Sequence, residues 1–127
     1  MDLSNFKPYT VSAGVSTITI GKGGVAFSKT AVIRLNKAAY VELLFDEEEH
    51  VLAIQPVEED SENATAFFKP GKKNIMVRWN YQDLLDHIAE MMSWNLNETT
   101  YKVKGEFHSK EDILTFDLNE AYQLDQK

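Results

Sequence analysis

Residues Gly24-Val-Ala-Phe-Ser-Lys-Thr-Ala-Val-Ile-Arg-Leu-Asn36, with the segment Tyr40 to Pro56 that follows them, decide how this chain folds. Val25-Ala-Phe27 suits a short strand, carrying a β-branched and an aromatic residue. Ser28 then offers a hydroxyl to the free N–H groups of a first helical turn. Ala31, Val32, Ile33 and Leu35 are the apolar residues of a short helix, and Asn36 tolerates the left-handed conformation that ends one. A helix of about two turns is marginal alone and depends on tertiary packing. Tyr40-Val-Glu-Leu-Leu-Phe45 and Val51-Leu-Ala-Ile54 read as strands joined by the acidic turn 46–50. Pro56 ends the second strand because it has no N–H to give a ladder.

Upstream, Ser16-Thr-Ile-Thr-Ile20 alternates like a half-buried strand, and Gly21-Lys-Gly-Gly24 supplies a tight hairpin turn. Residues 1–14 show no period, and Lys7-Pro8 disfavours helix. They are expected to form an arm with a short strand near Tyr9–Val11. Downstream, Glu58-Glu-Asp-Ser-Glu62 makes 58–65 a solvated acidic linker. Ala66 to Lys69 and Ile75 to Trp79 read as strands around the Pro70-Gly71 turn. Asn80 is expected to cap a longer helix, with Asp83 in the first turn where the helix dipole favours it. Tyr81, Leu84, Leu85, Ile88, Met91 and Met92 form its apolar stripe, and Gln82, Asp83, Asp86, His87 and Glu90 cover the other side. This helix is expected to supply most of the shared core, with Trp94 packed at its end. Thr100 to Phe107 and Asp112 to Leu118 form a last hairpin, and 119–127 reads as a polar tail.

The two halves follow one plan. Strand, Gly-containing turn, strand, cap, helix and a hairpin opened by a tyrosine (Tyr40, then Tyr101) occur in 15–57 and again in 66–118. The expected fold is α+β, two ββαββ-type halves sharing one core, largely antiparallel, with one short and one longer helix. A repeat of this kind predicts a pseudo-twofold axis.

The segment 16–56 resembles the swapped-hairpin (AbrB-like) family of transition-state regulators and addiction-module antitoxins. The residues that carry the resemblance are Gly24-Val-Ala-Phe-Ser-Lys29, Ala31 to Leu35, Leu35-Asn-Lys-Ala-Ala-Tyr-Val-Glu-Leu43 and Val51-Leu-Ala-Ile-Gln-Pro56. The chain departs from the family pattern at Ser28, usually proline, and at Ala39, usually glycine. It also lacks the arginine usual near the first strand turn. The resemblance implies that two interlaced half-units form one DNA-binding barrel.

Net charge is −7, which by itself argues against a nucleic-acid partner, but the charges are segregated. From Leu3 to Val41 there are five basic residues and no acid, and from Asn63 to Gln82 four basic residues and no acid. The candidate nucleic-acid contacts are therefore Lys22, Lys29, Arg34 and Lys37 from one half and Lys69, Lys72, Lys73 and Arg78 from the other. The expected partner is DNA or single-stranded nucleic acid, bound by a non-enzymatic module acting in transcription regulation. A protein-interaction or accessory role, with a protein partner or as a homodimer, is the alternative.

The chemistry-bearing residues form no recognisable catalytic motif. His50, His87 and His108 lack metal-ligand spacing, and Asp83, His87 and Glu90 read as the solvated face of a helix. Gly21-Lys-Gly-Gly24 lacks the ending of a phosphate loop, and there is no Gly-x-Ser-x-Gly elbow. No cofactor and no metal are expected. The absence of cysteine fits a reducing interior, and no apolar run approaches the roughly 18 residues of a membrane span, so a cytoplasmic location without membrane contact is expected.

Overall fold

A computed structural model describes residues 2–6, 15–71 and 74–124. The expected strand near Tyr9–Val11 lies outside the described residues. Strands β1 (Thr17–Gly21) and β2 (Gly24–Phe27) form the first hairpin, with Ile18 opposite Phe27 and Gly21 opposite Gly24. Gly24 has φ +132°, and a Cβ there would lie 2.2 Å from the Trp79 carbonyl oxygen. Only glycine lets the neighbouring strand come so close. Ser28 Oγ accepts from Ala31 N at 3.2 Å and from Thr17 N at 3.0 Å, so one hydroxyl both caps helix α1 (Lys29–Arg34) and ties it to β1. Asn36 and Lys37, at φ 56° and 51°, turn the chain into β3 (Tyr40–Asp46), which pairs with β4 (Val51–Pro56).

In the second half β5 (Thr65–Ala66) and β6 (Val77–Trp79) are shorter than the sequence suggests. Phe67 and Phe68 still donate to the Ala39 and Ala38 carbonyls, extending the run beside β3 beyond the regular ladder. Helix α2 spans Gln82–Met92. Asn80 does not cap it: Tyr81 holds the cap position and its side chain makes no capping hydrogen bond. Trp79 is still paired with Val25 in the sheet, so the chain needs Asn80 and Tyr81 to swing clear before it can coil. Tyr81 is consequently 46% exposed and no part of the apolar stripe. The helix ends at Ser93 in the left-handed conformation, and Trp94 stacks flat on Tyr101 with ring centroids 3.9 Å apart.

Strands β7 (Tyr101–His108) and β8 (Ile113–Asp117) make the last hairpin. Residues 119–123, expected to lie in a polar tail, are ordered against the sheet. Leu118 is buried at the start of a 3-10 turn, and β9 (Tyr122–Gln123) pairs with the first residues of β7. Buried Leu118 anchors the segment, and open ladder positions on β7 accept it.

All the strands belong to one curled sheet, ordered β5-β3-β4-β8-β7-β1-β2-β6, with β9 beside β7 and every pairing antiparallel. The curl is made at β7. Its residues 101–104 pair with β1 and its residues 105–108 with β8. Gly105 stands at the change, where a Cβ would lie 2.7 Å from Phe116 Cε1 and 3.2 Å from Leu114 Cδ1. Both neighbours are fully buried and cannot retreat. Gly105→Ala should therefore cost about 1–3 kcal/mol, the usual penalty of overpacking. The urea midpoint should fall at unchanged slope; an unchanged midpoint would show that the bend has room to spare.

The two end strands of the order meet through side chains. Trp79 Nε1 donates to the Ala66 carbonyl at 3.0 Å, and Phe67 packs edge-on against both Phe27 and Trp79. The core lies inside this curl, built mainly from strand residues such as Ile18, Val25, Phe27, Ile54, Val103 and Phe116. Helix α2 contributes Leu85 and Ile88 to it and does not supply most of the core. No helix among the described residues is long and apolar enough to cross a membrane.

Candidate nucleic-acid interface

Strand alternation and the ladder register define one surface. The buried residues Ile18, Ile20, Val25, Phe27, Val77, Trp79 and Val103 are the inward positions of β1, β2, β6 and β7. Their neighbours point outward. In register across five strands, Tyr122 of β9 faces Lys102 of β7, then Thr19 of β1, Ala26 of β2 and Arg78 of β6. One step along, Lys104 lies opposite Thr17. The surface therefore has a centre of small side chains, Thr17, Thr19 and Ala26, between a lysine column on β7 and Arg78 on β6. Three strand spacings separate the two flanks, about 14 Å.

Arg78 and Lys22 come together at the hairpin turn. The Arg78 guanidinium lies across it, Nε donating to the Gly23 carbonyl at 3.2 Å, and a side chain at Gly23 would collide with Arg78 Nη2 at 2.5 Å. The two basic windows of the sequence thus meet where β2 pairs with β6. Among the described residues the only ion pair is His87 with Glu47, so no described lysine or arginine is neutralised by a carboxylate in contact.

The other candidates are placed differently. Lys29 is exposed and directly follows Ser28, at the Thr17 end of this surface. Arg34 lines a separate hollow with Val15, Thr30, Gly105, Glu106 and Phe107, where it shares space with an acid. Lys37 and Lys69 are exposed but belong to no ladder position of this face. Lys72 and Lys73 lie outside the described residues. Lys22 also borders a hollow of about 260 Å³ whose lining includes Gln82, Asp86, Trp94, Asn95 and Asn97. Asp86 accepts there from Gln82 Nε2 at 2.8 Å. The structure adds two residues that sequence reading passed over, Lys102 and Lys104. The alternation Lys102-Val-Lys104 marks them as one face of a strand, but nothing local reveals that β7 lies beside β1.

The acids occupy the other half of the sheet. On its outer side Leu44, Ala53, Thr115 and Glu106 form one register row, and Asp46, Val51 and Asp117 another. Strand β7 carries the boundary, with Lys102 and Lys104 on one side of Gly105 and Glu106 on the other. At the β3–β4 turn Asp46 Oδ1 accepts from Glu48 N and Glu49 N. Glu47 meets His87 Nε2 of α2 at 2.7 Å, and the imidazole rests edge-on against Phe45. His50 pairs with Asn119 and His108 with Thr115, so each histidine has a structural partner. Among the described residues no three histidine, aspartate or glutamate side chains are grouped to hold a metal ion.

Comparison with protein-family models, curated proteins and solved structures found no significant match.

Proposed function

We propose that this chain is a non-enzymatic nucleic-acid-binding module, and that it binds through the outer face of β6, β2, β1 and β7. The observation that carries this reading is the register row Lys102–Thr19–Ala26–Arg78, which joins cations from separate parts of the sequence on one outward face and, among the described residues, contains no acid in the row. Phosphates are held by such cations with release of condensed counterions, a gain that an overall charge of −7 does not abolish. The acids around Leu44, on the far side of Gly105, orient the molecule so that the basic face meets the polyanion.

The strand pairing also supports two ββαββ halves about a pseudo-twofold axis. Exchanging β1–β4 with β5–β8 turns β1·β7 into β5·β3 and β3·β4 into β7·β8. The same exchange leaves β2·β6 and β4·β8 unchanged. There are two departures: β1·β2, whose counterpart is the Trp79–Ala66 contact in place of a ladder, and β7·β9, which has no counterpart beside β3 among the described residues. Interlaced halves of this kind are what the resemblance to the swapped-hairpin DNA-binding family implies, and a cytoplasmic role in transcription regulation fits that family.

The test is fluorescence anisotropy of labelled duplex and single-stranded DNA with the full chain. Saturable binding at about 50 mM salt, weakening as salt rises, is expected. Absence of binding to either at that salt contradicts the reading. A protein-interaction role without nucleic acid is the second reading, favoured by the acidic face around half-exposed Leu44, and that outcome would leave it standing.

A further inference from the structure

Resting on the nucleic-acid reading above, we infer that the face binds the phosphate backbone of double-stranded DNA without reading its sequence. The first reason is width. The major groove is about 12 Å across and admits a helix or a two-stranded ribbon. Four paired strands, about 14 Å from the β7 to the β6 backbone before side chains are added, cannot enter it. A face of this width meets undeformed duplex along its phosphates.

The second reason is reach. Base edges are read by long side chains able to make two hydrogen bonds at once, above all arginine, asparagine and glutamine. The centre of this face carries Thr17, Thr19 and Ala26, which are too short to reach a groove floor from the level of the backbone. The long side chains stand at the flanks. Arg78 has its Nε committed to the Gly23 carbonyl, which leaves its outer nitrogens for a phosphate and fixes its direction along the turn. Lys102 and Lys104 are point charges without directional readout. The threonine hydroxyls add donors suited to phosphate oxygens.

The third reason selects duplex over single strand. Single-strand binders stack successive bases on aromatic side chains. Among the described residues this face carries one ring, Tyr122, at its margin. Trp79 is buried and Trp94 is already stacked on Tyr101. The surface offers charge without a stacking platform.

The experiment is a set of titrations of the full chain with several duplexes of equal length and unrelated sequence, and with single-stranded DNA and RNA, between about 50 and 200 mM salt. Four cations, Lys22, Arg78, Lys102 and Lys104, predict a log–log salt slope of about −3 to −4, or a loss of roughly 100-fold over that range. Duplex affinities should agree within about threefold, and Lys104→Ala should reduce the slope by about one for every duplex alike. A preference of about fivefold or more for one duplex overturns the inference, since a base contact supplies discrimination of about 5- to 150-fold. Tighter binding of single-stranded DNA or RNA than of duplex also overturns it, and both results leave the nucleic-acid reading intact. Failure to bind any nucleic acid overturns both.

Discussion

Phe27→Ala should be the most damaging single substitution in the molecule, lowering stability by about 3–5 kcal/mol, the cost of truncating a buried phenylalanine. The ring is 1% exposed and sits where the ends of the curled sheet come together. It meets Trp79 at 4.9 Å, Phe67 at 5.0 Å and Phe116 at 6.4 Å between ring centroids, all edge-on. Each such pair adds about 0.5–1.5 kcal/mol beyond area burial. Collapse into the vacated space is hindered, because Trp79 is held by its indole bond to Ala66 and Phe116 by the Gly105 approach. Whole domains are stable by only about 5–15 kcal/mol, so the variant should be partly unfolded at room temperature or melt far below the parent. Urea unfolding followed by tryptophan fluorescence reads the effect. A loss below about 1.5 kcal/mol would mean that the strand ends do not depend on this cluster.

The second large effect concerns binding alone. Arg78→Glu combined with Lys102→Glu places two acids on opposite flanks of the basic face. Removing two phosphate contacts and adding repulsion should weaken duplex binding by about 100-fold or more at low salt. Arg78 is exposed with one hydrogen bond, and Lys102 is half-buried, so stability should change by less than about 1 kcal/mol. Lys110→Glu supplies the control. It sits in the β7–β8 turn, on the far side of Gly105 from Lys102 and Lys104, where screening over about 10 Å limits its influence. The double variant changes the charge by −4 and the control by −2, so a control loss of about half that of the double variant on a logarithmic scale would show that affinity follows net charge and not this face.

Much of the fold was legible because its signals are local. The Ser28 cap, the Asn36 stop, the glycine turn and the two long hairpins each depend on residues within a few positions of one another. What local signals could not supply was partnership between distant strands. The pairing of β2 with β6, which makes Gly24 indispensable and brings Arg78 over the first turn, joins residues fifty or more positions apart. The misplaced cap has the same cause: Asn80 is a good capping residue, but the demand of Trp79 for its place in the sheet moves the helix start onward. Buried Leu118 and the open ladder positions of β7 order the segment to Gln123, which composition alone marks as a tail. The candidate site divides along the same line. Lys22 and Arg78 lie in the basic windows and could be named from the sequence. Lys102 and Lys104 sit in an acid-rich stretch and acquire meaning only when β7 is seen beside β1. Arg34, Lys37 and Lys69 illustrate the converse, since sharing a basic window does not put them on a shared face.

The most direct measurement is amide chemical-shift mapping of the full chain during titration with a short duplex at low salt. The predicted result is a contiguous set of perturbed amides at Thr17, Thr19, Lys22, Ala26, Arg78, Lys102 and Lys104, with the outer side of β3, β4 and β8 unchanged. Perturbations confined to that acidic side or to α2, or no perturbation at all, would contradict the account.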